Sequence, residues 1–237
     1  MVVNQIKSIL GNLGLQVKRY PDRDLKSRQT ALHKFGINKI FDVGANTGQY
    51  ALEMRNHGFN GQIVSFEPLS TAFKILENCR KGDRNWIAKN IAIGDTDGKI
   101  TINVSKNSQS SSILEMLPAH LAGAPESIYI NQEIVAIRKL DSIFQEYFKS
   151  GDNILLKIDT QGYEKMVIDG AEKSLPLIKG LKLEMSLVPL YKDETLLWDM
   201  VKFVEGKGFK LYSLENTYSD FLTGQLLQVD GIFYRDN

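Results

Sequence analysis

Two short apolar runs in the first third of the chain each carry a carboxylate at or next to their end. Ile40-Phe41-Asp42-Val43 leads into a turn with glycines at 44 and 48, and Ile63-Val64-Ser65-Phe66 ends on Glu67. An acid at the end of a buried strand, beside a glycine turn that opens a helix, makes half a nucleotide site. The glycines let the backbone pass close to a ligand, and the helix start presents unpaired N–H groups. The glycine spacing then selects the ligand. A dinucleotide fingerprint needs G-x-G-x-x-G and a phosphate loop needs G-x-x-x-x-G-K-[ST]. This turn has Gly44-x-x-x-Gly48 with no lysine after it. What remains suits a nucleoside carrying an ammonium or sulfonium group better than a pyrophosphate. Glu67 stands where it can accept bonds from both hydroxyls of a ribose, as the acid of a dinucleotide fold does.

These residues need a β-α-β frame to bring them together, and the apolar pattern supplies one. Strands are expected to end at Asp42 and Glu67, with a helix carrying Tyr50, Ala51 and Met54 between them, which implies a parallel pair with a right-handed crossover. Ser70 reads as the N-cap of a helix whose inward stripe is Ala72, Phe73, Leu76 and Cys79. A third strand is expected within 86–93, and an alternating strand over 99–104 after an Asp97-Gly98 turn is extra to a minimal sheet. Residues 105–112 are serine-rich and lead into 114–125, a segment suited to a lid or an acceptor-binding loop. Further strands are expected over 128–137, 154–158 (ending on Asp159), 181–187 (around Glu184), 209–214 and 228–234. Helices are expected over 140–148, 162–171 and 195–205. The last two strands, with no helical pattern between them, should pair antiparallel.

Four blocks now stand together: Phe41 to Gly48, Ser65-Phe66-Glu67-Pro68, Asn90-Ile91-Ala92-Ile93-Gly94-Asp95, and Leu156-Lys157-Ile158-Asp159-Thr160-Gln161-Gly162-Tyr163-Glu164. From about Leu13 to its end the chain resembles the FkbM family of S-adenosylmethionine-dependent methyltransferases. The resemblance implies an α/β fold: a class I methyltransferase, Rossmann-like sheet, mostly parallel with an antiparallel final strand and flanked by helices. It implies S-adenosyl-L-methionine as cofactor and methyl transfer to a hydroxyl of a sugar, glycan or other small natural product. Gly44, Asn46 and Gly48 would line the methionine portion, and Glu67 would hold the ribose or cap the turn before Pro68. Asp42 would bond the glycine turn or the cofactor's ammonium through water, and Asn90 would meet the adenine edge or serve the fold. Asp159 sits where methyl group and acceptor should meet and is a candidate general base or acceptor-orienting group, with Glu184 as the second candidate. Asp159 has a rival role as hydrogen-bond partner of the Gln161 and Gly162 backbone groups or of the cofactor's amine. Glu164 is expected in the first turn of the next helix, where its charge favours the dipole.

The 237 residues suffice for one well-buried α/β domain, read here as residues 37–237, preceded by a helical extension over residues 1–36. Val2, Ile6, Ile9, Leu10 and Leu13 recur at helical spacing in that extension, a face for packing on the domain or a partner, with contact to a membrane surface as the lesser reading. A formal net charge of +1 gives no long-range field towards nucleic acid. Cys79 has no partner in the chain, which fits a reducing compartment. No apolar run of membrane-spanning length and no leader pattern is present, so a cytoplasmic protein is expected. His33, His57 and His120 are scattered and begin no metal-ligand pattern, so no metal is expected. Competing readings are a catalytically silent nucleoside- or partner-binding module, nicotinamide redox chemistry, and a methyltransferase acting on RNA or protein.

Overall fold

The computed structural model describes residue 10 and residues 23–235. The expected apolar face of Val2, Ile6, Ile9 and Leu13 lies outside the described residues. The chain divides into two compact units, Met1–Lys34 and Phe35–Asn237. In the first, α1 (Arg23–Lys34) is a helix within the extension read over residues 1–36.

The second unit carries a seven-stranded sheet. Its strands are β1 (Lys39–Val43), β2 (Gln62–Phe66), β3 (Trp86–Lys89), β7 (Ile154–Ile158), β8 (Ile178–Ser186), β9 (Lys210–Ser219) and β10 (Leu226–Tyr234), in the order β3-β2-β1-β7-β8-β10-β9. The first five of that order run parallel, and β10 is antiparallel to both β8 and β9. The strand order reverses between β1 and β7, so the crevice beyond their carboxyl ends is where an open α/β sheet binds its ligand. This is the expected α/β class, a mostly parallel sheet closed by an antiparallel hairpin.

Apolar side chains dictate which face is core. Phe41, Val43, Val64, Phe66, Leu156, Ile158, Leu183 and Phe233 form one buried cluster with helices α5 (Leu140–Tyr147), α6 (Glu164–Asp169) and α7 (Leu197–Gly206). Because side chains alternate across a strand, the residues between them face the other way. There the sheet is partly polar: Asp42 pairs in register with Ser65 and Lys157, Lys157 with Lys182, and Glu184 with Asp230. Helix α2 (Gln49–Asn56) follows the glycine turn and buries Tyr50, Ala51 and Met54.

The stretch read as one strand within 86–93 is two. After β3, residues β4 (Ala92–Gly94) leave the main sheet and pair parallel with β6 (Tyr129–Lys139), which pairs antiparallel with β5 (Gly98–Ser105). This second sheet packs Ile102, Val135 and Ile137 on Leu69 and on Ala72 of the following helix α3 (Ser70–Cys79). Ser70 is the first helical residue of α3 and Leu69 its cap, with no side-chain cap of its own. The orphan N–H groups are met from outside instead: Glu67 Oε1 accepts from Leu69 N at 2.8 Å, and Glu133 Oε1 on β6 accepts from Ser70 N at 3.1 Å. Within 114–125 lies a short helix, α4 (Pro118–Gly123).

Candidate active site

The glycine turn is shaped by close approach. Gly44 (φ 72°), Asn46 (φ 46°) and Gly48 (φ 92°) all adopt left-handed backbone. A Cβ at Gly44 would lie 1.8 Å from the Asp159 carbonyl oxygen, so only glycine lets β1 and β7 meet here. Asn46 combines strain with bonding, since its Oδ1 accepts from Thr47 N at 2.8 Å and its Nδ2 donates to Ser108 Oγ at 3.2 Å. The serine-rich segment therefore rests directly on the turn.

Beneath the turn lies a buried ionic core that the sequence reading did not assign. Lys157 Nζ stands 3.2 Å from Asp42 Oδ1 and 3.5 Å from Asp159 Oδ2, and donates to the Gly44 carbonyl at 2.9 Å. Asp42 is fully buried, and its other oxygen accepts from Ser65 Oγ at 3.1 Å, which in turn accepts from Trp86 Nε1 at 3.0 Å. Asp42 thus bonds neither the turn backbone nor open space; it reaches the turn through Lys157. Burial disfavours the Lys157 charge, but the Asp42 and Asp159 carboxylates outweigh it and hold the ammonium above the usual lysine range. A neighbouring pair, Lys182 with Asp230, continues the row, and the Tyr50 ring lies 5.7 Å from Lys157 Nζ and 5.9 Å from Lys182 Nζ.

Glu67 is buried against the turn, where Oε2 accepts from Asn46 N at 2.7 Å and Oε1 from Leu69 N at 2.8 Å. Each oxygen keeps a second lone-pair site. Asn90 turns its amide donors to the Glu67 and Pro68 carbonyls at 2.9 and 2.8 Å, bracing this corner. Burial, opposed by the Leu69 and Asn46 amides, pushes the Glu67 carboxyl up to about 7 from an ordinary 4.5. The folded-state value is the higher one, so the contribution to stability is complete below about 4.5 and is lost as pH rises through about 7. Urea midpoints of the wild type should fall across that window and those of Glu67→Gln should fall less. Glu164, pushed by burial to about 7, leaves a parallel slope in both. Equal slopes in the two proteins would contradict the assignment.

At the ends of β7 and β8 the two base candidates meet. Gln161 Nε2 donates to Asp159 Oδ1 at 3.0 Å and to Glu184 Oε2 at 2.5 Å, and Gln228 Nε2 donates to the same Glu184 oxygen at 3.1 Å. Both acids are half-buried. Burial first, then the Asp159, Glu164 and Asp230 carboxylates, raise the Glu184 carboxyl well above its ordinary value. Glu164 opens α6, yet its side chain folds back, with Oε1 accepting from Thr160 N at 2.9 Å and Gly162 N at 3.2 Å. His120 is buried between Tyr191 and Tyr218, and burial holds it down at about 4. Among the described residues no group of three or more His, Cys, Asp or Glu could hold a metal ion.

A doubly wound sheet with an antiparallel final hairpin, a left-handed glycine turn after β1 and an acid after β2 is the frame of the class I methyltransferases. The methyltransferase FkbM domain matches residues 42–211, and the chain belongs to this family. It is a methyltransferase, and its cofactor is S-adenosyl-L-methionine. No curated protein sequence matches the chain. Among solved structures the chain is similar to PH1948 of Pyrococcus horikoshii, assigned as an RNA methyltransferase, at 12% identity and TM-score 0.48 over 95% of this chain and 90% of that one. A Listeria monocytogenes protein assigned as an S-adenosylmethionine-dependent methyltransferase matches at 7% identity and TM-score 0.48 over 89% and 100%. Precorrin-6y C5,15-methyltransferase of Geobacter metallireducens matches at 15% identity and TM-score 0.46 over 89% and 88%.

The residues present fit the cofactor. Glu67 has unused lone pairs beside the turn, and the Asp159 carboxylate at the end of the cleft has a charge suited to a sulfonium.

Proposed function

We propose that the enzyme methylates a hydroxyl oxygen on a sugar, glycan or other small natural product. Gly44, Asn46 and Gly48 hold the methionine end of the cofactor and Glu67 its ribose; Asp42 and Asn90 act by bracing the turn and the Glu67 corner. The observation that carries the reading is the pairing of Asp159 and Glu184 on one amide nitrogen at the strand ends. When bound, S-adenosylmethionine supplies an electrophilic methyl group on a positively charged sulfur. Methylating a hydroxyl oxygen releases a proton, and Glu184 is built to hold it, because its raised pKa makes it a stronger base than an exposed carboxylate. Asp159, beside the Lys157 ammonium, orients the acceptor. Alignment of the acceptor oxygen behind the methyl group accounts for most of the acceleration.

A nucleic-acid acceptor is the less favoured reading, because a formal net charge of +1 supplies no field that would draw a phosphate backbone to the cleft. Among the described residues no helix is long and apolar enough to cross a membrane, and we place the reaction in the cytoplasm. Full-length protein with methyl-labelled S-adenosylmethionine should transfer label to members of a panel of free sugars, glycosides and polyketide alcohols, in an ether linkage stable to base. Glu184→Gln should lower that rate about 10²-fold or more. Label appearing in RNA or protein and in none of the hydroxyl compounds would contradict the reading.

A further inference from the structure

Gln161 is a glutamine held at φ 57°, a backbone region that costs a residue with a Cβ about 1 kcal/mol or more. Four hydrogen bonds hold it. The backbone carbonyl accepts from Ser112 Oγ at 2.6 Å, the side-chain Oε1 accepts from the Tyr191 hydroxyl at 2.7 Å, and Nε2 serves the two acids. Tyr191 is fully buried, and its single hydroxyl proton goes to the nearer acceptor, Gln161 Oε1, with the Ser110 carbonyl farther off at 3.3 Å. With the tyrosine hydroxyl on Oε1, the amide nitrogen has one way to point.

We propose that Gln161 is a positioning residue: its amide nitrogen joins Asp159 and Glu184 into one carboxylate pair at the acceptor end, and Tyr191 fixes the direction of that amide. The inference deepens the proposed function and rests on its placing of the acceptor at these strand ends. It also assigns oxygens. Asp159 Oδ1 and Glu184 Oε2 are taken by Gln161, and Asp159 Oδ2 faces Lys157. Among the described residues Glu184 Oε1 accepts no hydrogen bond, and it is the oxygen that meets the acceptor hydroxyl.

The test needs no acceptor. Glu184 is faced by Asp159 and Lys157 from β7, Glu164 from α6, Asp230 from β10 and Tyr191 from the connection after β8. Full-length protein carrying carboxyl-13C glutamate is titrated by NMR in the wild type, in Gln161→Met, which keeps the volume and removes the N–H groups, and in Tyr191→Phe. A hydrogen bond to the ionised form lowers a carboxyl pKa, so Gln161→Met should move the Glu184 midpoint upward by about one pH unit, and Tyr191→Phe in the same direction by less. A Gln161 that only fills space would leave the midpoint where it is, and an unmoved midpoint in both variants overturns the proposal. Should Gln161→Met fail to fold, Tyr191→Phe decides alone. Calorimetric titration with S-adenosylhomocysteine separates the two layers: no binding by the wild type defeats the functional reading, whereas binding with an unmoved midpoint defeats only the role of Gln161.

Discussion

Gly44→Ala should lower the stability of the protein by about 4 kcal/mol, roughly 12 °C in melting temperature for a chain of this size. Two costs add. The residue sits at φ 72°, where a Cβ is strained, and that Cβ would be driven to 1.8 Å from the backbone oxygen of Asp159. The clash is with main chain on β7, which cannot rotate away as a side-chain tip can. Relief requires β1 and β7 to part at the point where Lys157 ties them together, so the turn and the Asp159 end should be displaced at once. Gly58→Ala is the internal control. Gly58 has φ 84° and no atom within 4 Å of where a Cβ would stand, so it carries the dihedral cost without the collision. Its loss should stay near 1 kcal/mol. Equal losses in the two variants, read by thermal or urea unfolding, would show that the β1–β7 approach is not what the glycine serves.

Lys157→Met should cost about 3–5 kcal/mol, because it leaves the fully buried Asp42 carboxylate without its cation. The pair itself is a poor source of stability, since desolvating two charges offsets much of their attraction. Removing both charges should therefore restore most of what removing one loses. The double variant Asp42→Asn, Lys157→Met is expected to be more stable than Lys157→Met alone. Surface ion pairs would respond to salt, whereas a loss that persists at high ionic strength marks a buried pair. Loss of cofactor affinity should accompany the single variant, since Lys157 also holds the Gly44 carbonyl at 2.9 Å. A neutral Lys157→Met would mean that Asp42 finds another partner or is protonated.

The main sheet was legible because its strands are short apolar runs separated by helical periodicity, and the final hairpin followed from the lack of a helix between the last two runs. The second sheet was not. Residues 86–93 read as a single buried strand, and nothing local says that the chain changes sheets after Lys89; the reason is tertiary, the pairing of Ala92–Gly94 with β6. Of the site, the turn glycines, Glu67, Asp159 and Glu184 could be picked out, since each closes or lies beside an apolar run. Asp42 could be picked out too, but its partner could not. The signal was present in part: Lys157 interrupts a strand otherwise made of apolar residues, and a charge in a doubly covered strand must be paired. Which charge pairs with which depends on sheet order and register, and neither can be read from the order of residues along the chain. Gln161 stood out only as a backbone partner of Asp159, and its side chain's role was not legible because its bonds to Glu184 and Tyr191 span 23 and 30 residues.

The most direct test of the central claim is a calorimetric titration of the full chain with S-adenosylhomocysteine, set beside the same titration of Glu67→Ala. A turn and an acid that grip an adenosyl group predict saturable one-to-one binding by the wild type and its loss in the variant. No binding by folded wild-type protein, or equal binding by both, would contradict it.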